Sequence, residues 1–226
     1  MANETIEIEA KKITTFFALV VIFLIFAHIV GYVLCLYFGK LCSVFHLDIE
    51  QNIPTLFSSV ALLFSSFLLF VMCFLRKGNK LSYLYWLVLG IIFLFLAVDE
   101  TISVHEKLIM PLRTALNTSG IFYFAWVIPY GIALIIFLIP TIKNLFTLPK
   151  RIRLLFVAAG ITYVSGALGM ELLGGRHFEL YGPKNHLYFL ITSIEEILEM
   201  SGIVIFIHAL LTYIKTDMKN LTFKIV

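Results

Sequence analysis

The chain has 226 residues, 61% of them hydrophobic and 14% charged, with a formal net charge of +3. Soluble domains carry about a quarter charged residues, so this composition excludes an ordinary soluble enzyme and predicts a bilayer protein. The small positive excess reads as a topology signal and calls for no nucleic-acid partner.

A helix crossing a core of about 30 Å needs roughly 20 predominantly apolar residues. Six segments meet that need, near residues 13–37, 54–75, 82–106, 121–146, 154–174 and 187–214. The expected fold is therefore all-α, a polytopic bundle of six transmembrane helices. It divides into a cytoplasmic tail (1–12), a single membrane domain (13–214) and a second cytoplasmic tail (215–226). The spans leave no room for a soluble domain.

The first segment follows Lys11 and Lys12. Its apolar run is too long for a signal-peptide core and no small-residue cleavage site follows it, so it is expected to be retained. His28, near its middle, reads as a neutral imidazole bonded to a neighbouring helix. Pro54 suits the first turn of the second span. Ser58, Ser59, Ser65 and Ser66 suit close helix packing there. Cys35, Cys42 and Cys73 form no metal-ligand or redox spacing.

The third span ends in "LAVDETISVHEKL", where Asp99, Glu100, His105 and Glu106 crowd its outer end. The fourth carries Tyr123, Trp126 and Tyr130, read as an interfacial belt, and Pro129, which can kink the helix. The fifth is rich in small residues (Gly160, Ser165, Gly166, Ala167 and Gly169) and reaches Glu171, with Gly174 and Gly175 as its expected stop. In the sixth, Thr192, Glu195, Glu196, Glu199 and Gly202 share an arc of roughly 120°. Such a stripe must face protein or water, because lipid does not tolerate it.

Basic residues set the orientation, since Lys and Arg flanking spans are retained inside. With the N-terminus inside, twelve of the 17 basic residues fall on the cytoplasmic side. Both termini are then cytoplasmic. At about 1.5 Å of rise per residue, Asp99 and Glu171 lie roughly 24–25 Å from the inner edge and Glu195 roughly 12 Å below the outer one. The acids therefore collect in the outer half of the bundle. Acidic doublets in the third and sixth spans hint at an inverted repeat, but both fall toward the same side, so the signal is weak.

Asp99, Glu100, His105, Glu106, Glu171, Glu195, Glu196 and Glu199 are the candidate metal ligands, with Glu196 and Glu199 also candidate catalytic groups. Clustered carboxylates cannot all ionise unpaired; they hold protons or share a cation. An oxygen-rich set with one or two imidazoles suits a divalent cation, among which Mn, Fe, Zn, Ca and Mg are not distinguished. His177 and His186 are further imidazoles near the outer face, whereas His208 lies too deep. The di-iron pattern of Glu-x-x-His is met only in part, by Glu196 and Glu199. No nucleophile elbow, His-Glu-x-x-His zinc motif or phosphate-binding loop is present. Ser103, between Asp99 and Glu106, leaves a serine hydrolase as a minor alternative.

The ordered set "NIPTLFSS", "LAVDETISVHEKL", "GALGMELLGGR" and "EEILEMSG" resembles an uncharacterised family of small bacterial six-helix membrane proteins. The resemblance implies a bacterial inner membrane and supplies no catalytic role. Three readings follow: a metal-binding protein, catalytic at its outer face; a cation- or proton-coupled transporter; and a membrane assembly or interaction protein. The expected partners are the lipid bilayer and a second copy of the chain, with the ion, lipid or small-molecule substrate left open.

Overall fold

A computed structural model describes residues 9–39, 43–76, 78 and 80–219. Most of the expected N-terminal tail, Cys42 and the end of the C-terminal tail lie outside the described residues. Six helices are long and apolar enough to cross a membrane: 10–38, 53–75, 82–102, 127–145, 150–181 and 186–216. No strand occurs among the described residues.

Helix α1 (Ala10–Phe38) ends at Gly39, whose φ of 65° lets its N–H close back onto the Cys35 carbonyl at 2.9 Å. A short loop then leads to α2 (Ile53–Leu75). Asn52 caps α2 by accepting from the Thr55 N–H at 3.2 Å, with Pro54 in the first turn. Helix α3 (Lys80–Ile102) packs closely on α2, and the serines explain how. Ser66 Oγ donates to the Gly90 carbonyl and Ser59 Oγ to the Ala97 carbonyl, each at 2.8 Å. These bonds satisfy hydroxyls inside the apolar contact and fix its register.

The third span stops at Ile102, four residues short of the expected end at 106. Ser103 adopts φ 52° and ψ 53°, a left-handed break, and α4 (Val104–Leu116) starts anew. The Asp99 carboxylate accepts the His105 N–H at 2.9 Å, satisfying an otherwise open donor in the first turn of α4. Leu108, Ile109 and Leu112 of α4 rest on Phe124, Trp126 and Val127. His105 and Glu106 therefore belong to a short, partly apolar helix that follows the span.

The fourth span also begins later than expected. Residues 121–126 form turns, and α5 (Val127–Leu145) follows them with Pro129 in its first turn. Helix α6 (Lys150–Val164) passes through a π-helical segment (Ser165–Met170) into α7 (Glu171–Tyr181). Gly174 and Gly175 do not stop it. They are buried, and Phe124 and Ile191 occupy the space beside them. The stop is Gly182, at φ 72°.

Helix α8 (His186–Lys219) is the axis of the bundle, touching α1, α2, α6 and α7. Met200, Ile207, Leu210 and Ile214 are sealed from solvent along it. Its glycine makes the tightest fit: a Cβ on Gly202 would stand 2.7 Å from the Tyr163 backbone nitrogen.

Candidate functional site

The acidic residues of the third, fifth and sixth spans come together where α3, α7 and α8 meet. The π-helical segment is the local reason. It adds a residue to the turn leading into Glu171, and Gly166 within it brings the backbone against α8. A Cβ on Gly166 would lie 2.7 Å from the Glu195 carbonyl and 2.9 Å from Glu199 Cγ. The extra residue thus brings Glu171 to the same level and side as Glu195 and Glu199.

Asp99 is 4% exposed and fully engaged. Besides the bond from the His105 N–H, its Oδ2 accepts from Tyr130 Oη at 3.0 Å and from His105 Nδ1 at 3.3 Å. That leaves His105 Nε2 as the uncommitted ring nitrogen, the arrangement by which a carboxylate orients an imidazole ligand. Burial pulls the His105 pKa down, but the Asp99 hydrogen bond and charge, with Glu50 and Glu199, raise it above its usual 6.5. Trp126 lies against the same ring at 4.9 Å.

Trp126 Nε1 donates to Glu171 Oε1 at 2.6 Å. Glu195 lies on its other side, within electrostatic reach of the same carboxyl group. Glu100, Glu196 and Glu199 lie within electrostatic reach of one another and of the Tyr163 hydroxyl. All five glutamates sit inside the fold and keep part of their surface open.

The loop between α1 and α2 folds over this cluster, which the spacing of the acids did not suggest. Asp48 lies beside Thr192 and senses Glu171, Glu106 and Glu50. Withdrawal from bulk water, then those three carboxylates, push its pKa up to about 7. Asp48 retains an open face, so solvent screening weakens the repulsion. Burial and Glu106 also push Glu50 up. Its Oε2 finds no hydrogen-bond partner, and neither does Ser103 Oγ, which is 5% exposed. The two groups are neighbours that stop short of a proper hydrogen bond.

His28 anchors that loop. Its Nδ1 accepts the Leu47 N–H at 3.1 Å, so the proton sits on Nε2, which donates to Ser193 Oγ at 2.8 Å. The structural role expected for this residue is what the geometry shows. Next to it, burial pushes His46 down, and its Nδ1 lacks a partner.

Other candidates stand apart. His177 bonds Asn185 at 2.7 Å, and His186 is taken by the Tyr32 hydroxyl. Glu106 is exposed on α4, although the roofing acids sense its charge. The rim cations are engaged elsewhere or point to solvent. Lys107 Nζ reaches the Ile102 carbonyl at 2.5 Å, Arg113 covers the Tyr123 ring at 3.7 Å, and Arg176 is exposed. Among the described residues, no three His, Cys, Asp or Glu side chains stand around a common point as ligands of a metal ion.

Reading the sequence alone overlooked Asp48, Glu50 and Tyr163, and treated Trp126 and Tyr130 as interfacial anchors. A legible signal existed for the first two. "HLDIEQN" places two acids in a short loop between apolar spans, beside a span bearing a stripe of acids.

Residues 13–214 match the family model described as Domain of unknown function (DUF8692), and the chain belongs to that family. No curated protein and no solved structure matches it.

Proposed function

We propose that this is a bacterial inner-membrane protein, with both termini in the cytoplasm, that binds a hard divalent cation in an outward-facing carboxylate cluster. The observation that carries the reading is uncompensated charge. Asp48, Glu50, Asp99, Glu100, Glu171, Glu195, Glu196 and Glu199 converge from three helices and a loop, and His105 is the basic group set among them. Buried carboxylates in such numbers require protons or a cation. The donors are mostly oxygen with one imidazole, which favours Mn²⁺, Fe²⁺, Ca²⁺ or Mg²⁺ over softer ions.

Since the side chains do not already surround one point, cation entry has to draw them inward. Glu50 and Ser103, each with an unpartnered oxygen, are the groups with least to lose by moving. Asp99 stays in place and orients His105. If the site is catalytic, Glu196 and Glu199 are its candidate bases, acting on a substrate arriving from the outer side.

A second reading is proton-coupled transport, because Glu171 and Glu195 lie within electrostatic reach of each other and neighbouring carboxyl groups can share a proton. Against it, most of α8 beyond Glu199, from Ile203 to Ile214, carries buried apolar groups, with His208 as its one ionisable side chain apart from the buried Tyr213. Trp126 can report on the difference, because it bonds Glu171 directly. In a Trp86→Phe background Trp126 is the sole tryptophan, as the chain has 2. Its fluorescence is expected to change saturably with Mn²⁺ or Ca²⁺, and not to do so in Glu196→Gln/Glu199→Gln. A change driven by pH alone, with no response to any divalent ion, would favour the proton reading.

A further inference from the structure

At the opposite end of the bundle a groove of about 640 Å³ runs along α6 and α8, lined by Lys150, Arg151, Leu154, Leu155, Ala158 and His208. We propose that it binds an anionic phospholipid of the leaflet faced by the α5–α6 turn. The phosphate sits at Lys150 and Arg151, and an acyl chain lies along Leu154, Leu155 and Ala158.

Charge complementarity and shape point the same way. Lys150 and Arg151 are exposed and, among the described residues, take part in no ion pair. They open α6, whose first turn receives no side-chain cap from Pro149. Its first N–H groups and the positive end of the helix dipole are therefore available to the same anion. Leu154, Leu155 and Ala158 follow Lys150 by four, five and eight residues, one helical face descending roughly 12 Å. A soluble anion has no use for that apolar trough, whereas a lipid fills both parts. Basic pockets between membrane helices are a recurrent headgroup site.

His208 supplies the wall. Thr14 Oγ1 donates its only proton to the Ala10 carbonyl at 2.8 Å, so its 3.0 Å bond to His208 Nδ1 has the imidazole as donor. Nε2 is then the remaining polar atom of a ring that lines the groove.

The test compares phosphatidylglycerol with phosphatidylcholine of identical chains, added to the detergent-purified full chain and read by native mass spectrometry and thermal unfolding. Two membrane-facing cations are worth roughly a thirtyfold preference for the anionic lipid. That preference is expected to vanish in Lys150→Gln/Arg151→Gln and to persist in the control Lys143→Gln, whose charge lies at the end of α5. Ala158→Phe, which fills the trough and leaves the charges, is expected to weaken both lipids, and it keeps the test available if the double variant does not fold. An unchanged preference in Lys150→Gln/Arg151→Gln would overturn the proposal. So would competition by glycerol phosphate as effective as that by the intact lipid, which would mark a soluble-anion site.

Discussion

Asp99 spends both carboxylate oxygens on Tyr130 and His105, joining the end of one helix to the start of the next. Asp99→Asn keeps the shape and removes the charge. It is expected to destabilise the protein by about 1–3 kcal/mol in thermal unfolding, the range for a buried hydrogen bond to a charged group. Cation affinity should fall about 10–100-fold, because His105 loses its orienting carboxylate. Unchanged affinity would remove His105 from the ligand set. Asp48 makes a pH prediction with a definite sign. Its folded pKa is raised from 3.8 to about 7, so its stabilising contribution is complete below 3.8 and is lost as the pH climbs through about 7. His105, raised above 6.5, acts in the same direction, whereas His46, lowered, costs stability as the pH falls below 6.5. The clean observable is the wild type compared with Asp48→Asn. The melting temperature of the metal-free wild type should decline relative to the variant as pH rises from about 4 to about 7 and level off above, and a relative gain would refute the assignment. At this scale the helical acids were legible because a charge in an apolar run stands out. The roof acids left a weaker trace, two acids in the short loop "HLDIEQN", which looks ordinary until its fold-back is known.

Two helical irregularities build the site. Ser103 breaks the third span so that α4 can return His105 to Asp99, and the π-helical segment sets Glu171 against Trp126 and Glu195. Deleting Gly169 should restore an α-helical turn and rotate all that follows by about 100°. Glu171 would then leave Trp126, visible as a shifted Trp126 emission and lost cation response; retention of both would show that the extra residue is unimportant. The glycines make a contrasting pair. Gly202→Ala thrusts a Cβ within 2.7 Å of the Tyr163 backbone and is expected to cost about 1–3 kcal/mol. Gly160→Ala meets nothing within 4 Å and is expected to be neutral or stabilising by up to about 1 kcal/mol. The sequence marks a stripe of small residues in the fifth span, but composition does not say which of them touches a neighbour. Gly166 does; Gly160 does not. Gly174 and Gly175 mislead for the same reason, since glycine serves a close approach as well as a helix end.

For the whole molecule, hydropathy and length made the six spans legible, because a bilayer imposes a long apolar run that soluble folds do not. What they left open is where a span gives way to an interfacial helix, since α4 continues the helical pattern of α3 with only a backbone break between them. The bundle carries an acidic cluster at one end, beside α4 and the first loop, and a basic groove at the other, beside the α5–α6 turn. An even number of spans returns the chain to its starting side. Fluorescent-protein fusions, which mature only in the cytoplasm, should therefore glow at both termini, and a dark fusion at either end would reverse the orientation proposed for both sites.

Metal binding by the acidic cluster is open to elemental analysis by mass spectrometry of protein purified without chelator, set beside Glu196→Gln/Glu199→Gln purified identically. A near-stoichiometric divalent metal is expected in the wild type, and its loss in a variant that still folds. Metal-free wild type that also fails to take up Mn, Fe, Zn, Ca or Mg on dialysis would contradict it, leaving protons as the cations of the cluster.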